Sequence, residues 1–245
     1  KKIIYVTKKK YGTAYAVSTN TDLYEYDIET GTTKNLTEYN KGYDVQPAFS
    51  KNGRMAWLQM KRDGYESDKQ DIIILYRQGR SRNLTAQRDD IHVEGFKWSD
   101  DEEKIFFWAS INGTLQLFEI SYLYNYDFRD PPIKQITSGD FDINGIVGQS
   151  GNTLIVSRTD FNHAAELYTV DISNGNMKQL THVNDNIYKN IKPCKTERKF
   201  VKTVDGKNML VWVIYPPGFD PLNTDDLIKY PTLLYCQGGP QSALT

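Results

Sequence analysis

A three-residue phrase that returns four times limits what this chain can become: Asn35-Leu36-Thr37, Asn83-Leu84-Thr85, Gln135-Ile136-Thr137 and Gln179-Leu180-Thr181, at spacings of 48, 52 and 44 residues. A repeat of that period is one supersecondary unit, too small to bury its own apolar faces and therefore stacked on its neighbours. The flanks repeat as well. Before the phrase stand an alternating strand and a tight turn, Leu23 to Gly31 and Leu167 to Gly175. After it come a polar loop, a strand closing on Ser, a turn and a second apolar strand. Examples are Pro47 to Ser50 then Arg54 to Leu58, Phe96 to Ser99 then Lys104 to Trp108, and Val147 to Ser150 then Thr153 to Val156. Each unit reads as four short strands with no helical periodicity. Such sheets are covered on both faces only when stacked radially, so the expected fold is mainly β: a partial β-propeller of about four blades of four antiparallel strands. In this register Ile3 to Thr7 is a second strand. That predicts three full blades and one lacking its first strand, with the preceding blades upstream.

The repeat decays after Thr181. Lys199 to Gly206 reads as a strand and turn, Asn208 to Phe219 as a strand broken by prolines, and Asp220 to Lys229 as a polar connection. The apolar run Thr232 to Cys236, ended by Gly238-Gly239-Pro240, is expected to be a buried strand of a parallel sheet. The expected division is residues 1–194 for the blades, with the ring incomplete on the N-terminal side, and 195–245 for the beginning of a second domain.

With 30 basic and 31 acidic residues the net charge is -1, which offers nothing to a nucleic acid or an anionic membrane. Apolar runs such as Met209 to Tyr215 are far too short to span a bilayer. Lys1 is no initiator, so any leader would lie upstream; a periplasmic or secreted location is favoured over the cytoplasm. Cys194 and Cys236 lack the partners of a zinc site, and free thiols are the favoured reading over a disulfide between them.

Blades of this type, followed by Thr203-Val-Asp-Gly206, Pro216-Pro-Gly-Phe-Asp220, Lys229-Tyr-Pro231 before an apolar strand, and Gly-Gly-Pro, resemble the prolyl oligopeptidase family of serine peptidases. Within it the chain looks most like dipeptidyl peptidase IV-like and acylaminoacyl peptidase-like members. The resemblance implies that residues 195–245 hold the first strands of an α/β-hydrolase domain, truncated before the nucleophile, and that the propeller gates access. It implies a peptide substrate, no cofactor, no metal, and a parent able to form a homodimer. A Ser-Asp-His triad would lie outside the chain, and a preference for Pro or Ala before the cut comes from the family alone. Gln237 and Gly238 occupy the family's oxyanion-hole loop. The family often has Tyr or His where Gln237 stands; its amide N–H would donate to the oxyanion, or it would only order the loop.

Other candidates fail on their register. Gly148-Gln-Ser150-Gly-Asn152 is not a nucleophile elbow, because Ser150 matches Ser50 and Ser99 as a strand-to-turn residue. His92, His163 and His182 read as surface or loop residues, and Glu102-Glu103, Asp89-Asp90 and Asp225-Asp226 as solvated turns. Trp57, Trp98 and Trp108 read as blade-packing residues. Of the sequons at Asn35, Asn83 and Asn112, the first two are the repeat phrase itself. Two functions remain: an inert internal piece of a serine exopeptidase or oligopeptidase, or a non-catalytic propeller that binds peptide or protein.

Overall fold

The computed structural model describes residues 1–76, 79–122, 131–219 and 229–236. A three-stranded sheet comprises β1 (Lys2–Thr7), β2 (Asp22–Asp27) and β3 (Thr33–Asn35), with a short helix, α1 (Thr13–Val17), between the first two. Three four-stranded sheets follow. They are β4 (Asp44–Phe49) to β7 (Ser81–Asn83) through β5 (Met55–Gln59) and β6 (Asp71–Leu75); β8 (His92–Trp98) to β11 (Ile133–Gln135) through β9 (Lys104–Ile111) and β10 (Thr114–Ser121); and β12 (Asp142–Ser150) to β15 (Met177–Gln179) through β13 (Thr153–Asp160) and β14 (His163–Asp171). All neighbours within a sheet are antiparallel and in sequence order. The chain is thus a partial propeller whose opening blade has second, third and fourth strands, as the register predicts. After helix α2 (Asp185–Tyr188), β16 (Thr196–Lys202) and β17 (Asn208–Ile214) form a separate hairpin.

The repeat phrase has a job inside each blade. Its Thr hydroxyl accepts a backbone N–H of the third strand: Leu23 at 3.0 Å, Ile72 at 3.1 Å, Leu117 at 2.9 Å and Leu167 at 2.9 Å. In three blades the same hydroxyl donates to the preceding side chain, Asp71 at 2.7 Å, Gln116 at 2.9 Å and Glu166. Asn35 and Asn83 cap the arrangement, each accepting the N–H of its own Thr and donating to Asp22 at 2.9 Å or Asp71 at 2.8 Å. The phrase ties the end of the fourth strand to the third. Thr85→Val keeps the shape but leaves the Ile72 N–H buried without an acceptor, so a loss of about 1–3 kcal/mol is expected in urea unfolding. An unchanged midpoint would reject this role.

The cores lie between blades. Along β9, Ile105, Phe107 and Ala109 face the second blade while Phe106 and Trp108 face the fourth. Along β5, Ala56 and Leu58 face the third blade and Met55 and Trp57 the first. Strand alternation therefore puts apolar residues on both faces, and runs such as Met55-Ala-Trp-Leu58 become buried only by stacking. The three blade Trp residues pack as expected, Trp57 and Trp98 buried and Trp108 with its ring over Gly95, where a Cβ would stand 2.1 Å from it.

The run Thr232 to Cys236 departs from expectation. It forms no strand, and Leu233, Leu234 and Tyr235 are at least three-quarters exposed. A parallel strand needs ladder partners on its flanks, and the described residues supply none.

Candidate functional site

Antiparallel strands alternate direction, so connections from second to third strand, and from a fourth strand to the next blade, all emerge on one face of the propeller. That face carries α1, the loop 60–70, the turn 112–113, the loop 136–141 and the hairpin β16–β17. Among the described residues the opposite face carries short turns, such as 28–32 and 172–176.

Two connections on this face exceed the repeat's short turn: residues 8–21, which carry α1 between β1 and β2, and residues 60–70, which join β5 to β6 where the third blade uses only Asn112-Gly113. The loop is held against α1 by Asp63, whose carboxylate accepts from the Ser18 hydroxyl at 2.6 Å, the Thr19 N–H at 2.9 Å and Lys10 Nζ at 3.1 Å. The Ser18 hydrogen bond, followed by the Lys10 and Thr19 contacts, holds this carboxyl down at about 2. Arg62 binds Asp68 and lies 3.9 Å over the Tyr65 ring, and the Gly64 N–H donates to Thr19 Oγ1 at 2.9 Å.

Between α1 and this loop is a cleft of about 360 Å³ lined by Lys8, Val17, Tyr43, Tyr65 and Glu66, among others. Its charges are not equivalent. Lys8 Nζ donates to the Ser18 and Tyr15 carbonyls at 2.5 and 3.2 Å, and Lys10 is paired with Asp63. Glu66 has no ion-pair partner among the described residues. The cleft thus offers an uncommitted carboxylate beside aromatic rings, a combination suited to a cationic or amine-bearing group.

On the far blades of the same face, Arg198 donates to the Asn112 carbonyl at 3.2 Å and pairs with Asp140 at 2.8 Å. Trp212 Nε1 donates to the Gly113 carbonyl at 3.1 Å, its ring 4.8 Å from that of Phe161. The Asn112 sequon is also a two-residue hairpin turn, with φ of 50° and 74° at Asn112 and Gly113. That Asn-Gly signal was available in the sequence; the importance of Glu66 had no motif to announce it, only an over-long connection.

Gln237 and Gly238 lie outside the described residues, as do Asp225 and Asp226. Ser150 ends β12 in the turn position assigned to it. His163 and His182 are exposed and sit 2.8 and 3.2 Å from Asp160 and Asp185. His92 corrects the surface reading: it is mostly enclosed, its Nδ1 accepts the Gln70 N–H at 3.2 Å, and burial pushes its pKa down. Glu102 is a second correction. It is buried rather than solvated, because the stacked turn of the second blade supplies the Asn52 N–H at 2.8 Å and the Asn52 amide to its carboxylate. Glu103, beside it, is exposed. Asp90 pairs with Arg88 at 2.6 Å. Both cysteines are free, Cys194 half-buried and Cys236 exposed. Among the described residues no His, Cys, Asp or Glu group is placed to hold a metal, and no helix is long and apolar enough to cross a membrane.

No family model matches the chain. It is 36% identical over 244 residues to dipeptidyl-peptidase 5 of Porphyromonas gingivalis, covering 99% of the chain and 34% of that protein. It is 38% identical over 246 residues to dipeptidyl-peptidase 5 of Porphyromonas endodontalis, covering 100% and 34%. The chain therefore spans about a third of the length of these curated relatives. Among solved structures it is similar in fold to an acylaminoacyl peptidase in complex with Z-Gly-Gly-Phe-chloromethyl ketone, with a TM-score of 0.61, 22% identity, and coverage of 82% of this chain and 29% of that one.

Proposed function

Because this chain belongs to the prolyl oligopeptidase family, we propose that the protein it serves is a serine-type dipeptidyl peptidase, with residues 1–194 as propeller and 195–245 as the opening of the hydrolase domain. Similarity along nearly all of this chain, and about a third of each relative, to two dipeptidyl-peptidase 5 sequences supports the reaction class. The observation that carries the chain's own part is the cleft with its uncommitted Glu66. A dipeptidyl peptidase must measure two residues from a free amino terminus. An uncommitted carboxylate on the face that bears β16–β17 would take the terminal ammonium, while the Tyr65 and Tyr43 rings flank the first side chain.

Chemistry then follows the family's course. A serine would attack the peptide carbonyl and pass its proton to the triad histidine; the loop of Gln237 and Gly238 would meet the oxyanion, the C–N bond would break as the histidine returns that proton to the leaving amine, and water would then hydrolyse the acyl-serine to release the dipeptide. The residues described here bind and orient. They do not perform the bond exchange.

A charge-assisted hydrogen bond contributes about 1.5–3 kcal/mol, so Glu66→Gln in the full-length protein is expected to raise KM for dipeptidyl amides by roughly 10- to 100-fold, with kcat little changed. Substrates with a blocked amino terminus should be insensitive to the substitution. A fluorophosphonate probe should label a serine outside residues 1–245. No labelling would favour a peptide-binding propeller without catalysis, and an unchanged KM would remove Glu66 from the site.

A further inference from the structure

The charged side chains that brace or line the cleft between α1 and the loop 60–70 cancel in pairs, except for two. Lys10 is neutralised by Asp63 at 3.1 Å and Arg62 by Asp68, while Lys9 sits over the Tyr24 ring, 4.0 Å from its centroid. Lys8 and Glu66 remain. Both line the cleft, and neither has an ion-pair partner among the described residues. Lys8 follows the last residue of β1, and its Nζ donates to the Tyr15 and Ser18 carbonyls at 3.2 and 2.5 Å. Tyr15 belongs to α1 and Ser18 caps its C-terminal end, where carbonyls lack intrahelical partners. These neutral oxygens occupy two of the three ammonium N–H groups, so they fix the cation without cancelling its charge.

We propose that Lys8 is a specificity-determining residue, through which the cleft selects peptides whose first residue has an acidic side chain, Asp or Glu. The proposal rests on the reading of Glu66 as the site of the terminal ammonium. An amino-terminal Asp or Glu carries an ammonium and a carboxylate a few bonds apart, one charge of each sign, and the cleft offers the complement. With the ammonium on Glu66, the side-chain carboxylate accepts a charge-assisted hydrogen bond from Lys8. A neutral side chain leaves the Lys8 charge uncompensated, and a basic one meets it as a like charge. Because two carbonyls already hold the Lys8 ammonium in place, little side-chain freedom is lost when it binds.

The test uses the full-length enzyme and two dipeptidyl amides with the same second residue, one beginning with Glu and one with Gln, which match in size and differ in charge. Lys8 is half-buried, so its pairing exceeds that of an exposed ion pair and still weakens with salt. The kcat/KM values should favour the Glu amide by about five- to tenfold, a preference that shrinks as ionic strength rises. Lys8→Gln should bring the Glu-to-Gln ratio within about twofold of one, and Lys8→Arg, which keeps the charge, should retain most of the preference. Were Lys8 only a brace for α1, its loss would lower both amides together and leave the ratio at the wild-type value. A wild-type ratio near one, or an unchanged ratio in Lys8→Gln, overturns this inference alone where Glu66→Gln still raises KM for both amides. Equal KM values in wild type and Glu66→Gln overturn the reading of the cleft as the amino-terminal site, and this inference with it.

Discussion

Phe107→Ala is expected to destabilise the protein by about 3–5 kcal/mol, because truncating a fully buried aromatic ring loses its transfer free energy and leaves a cavity that stacked sheets cannot close. The ring sits at the centre of the core between the second and third blades. It pairs across the ladder with Phe118, centroids 5.2 Å apart and nearly parallel, and on its other side with Phe96. Neighbouring blades stabilise one another pairwise, so the loss should appear first as weakened coupling across that one interface. Denaturant unfolding followed by amide exchange should show protection falling in β5, β6, β9 and β10 before β13 and β14. Phe49, about half exposed, provides the comparison: its replacement by alanine should change stability by less than about 0.5 kcal/mol. Equal effects at the two positions would mean that the inter-blade core does not carry the fold.

The second large effect is one of pH. Asp44 is completely buried, and burial pushes its carboxyl up to about 6 even though Gln59, Asn40 and Trp57 all donate to it, at 2.7, 2.9 and 2.7 Å. A carboxyl raised in the folded state holds its proton more tightly there than in the unfolded chain. Its stabilising contribution is therefore complete below the ordinary value of 3.8 and lost as pH rises through about 6, a change of about 3 kcal/mol. Other carboxylates have the opposite sign, Asp63 among them, so the readout is the difference between wild type and Asp44→Asn. Subtracting the two stability profiles should leave a fall between pH 4 and 7. The substitution will itself cost stability, since an amide N–H replaces an acceptor among three donors, but it cannot titrate. Parallel profiles would show that Asp44 is charged in the folded protein throughout that range.

Asp44 also shows why some side-chain environments were hidden. Its identity is visible in the sequence, but its titration depends on Trp57 and Gln59 closing over it from the next strand and on Asn40 from the preceding loop. Glu102 was hidden in the same way. It sits in a polar run that reads as a solvated turn, and only the stacking of two blades brings Asn52 onto its carboxylate. The Glu66 cleft depends on Asp63 reaching back to α1, a contact between residues 45 positions apart. No local spacing foretells it.

What the sequence by itself determined is the blade: its period, the order of its strands, the Trp positions and the opening blade's second-strand start. These are legible because the Thr of the repeat phrase, the strand alternation and the turn residues act within one sheet, between residues close along the chain. The tertiary structure alone decided which turns meet, where Arg198 lands 86 residues from its partner Asn112, and which carboxylates are enclosed or left free. Those outcomes follow from the angle at which one sheet packs on the next. Many dispersed side chains set that angle together, and the apolar run Thr232 to Cys236 shows the limit, since a pattern suited to a buried strand becomes one only where neighbouring strands are there to receive it.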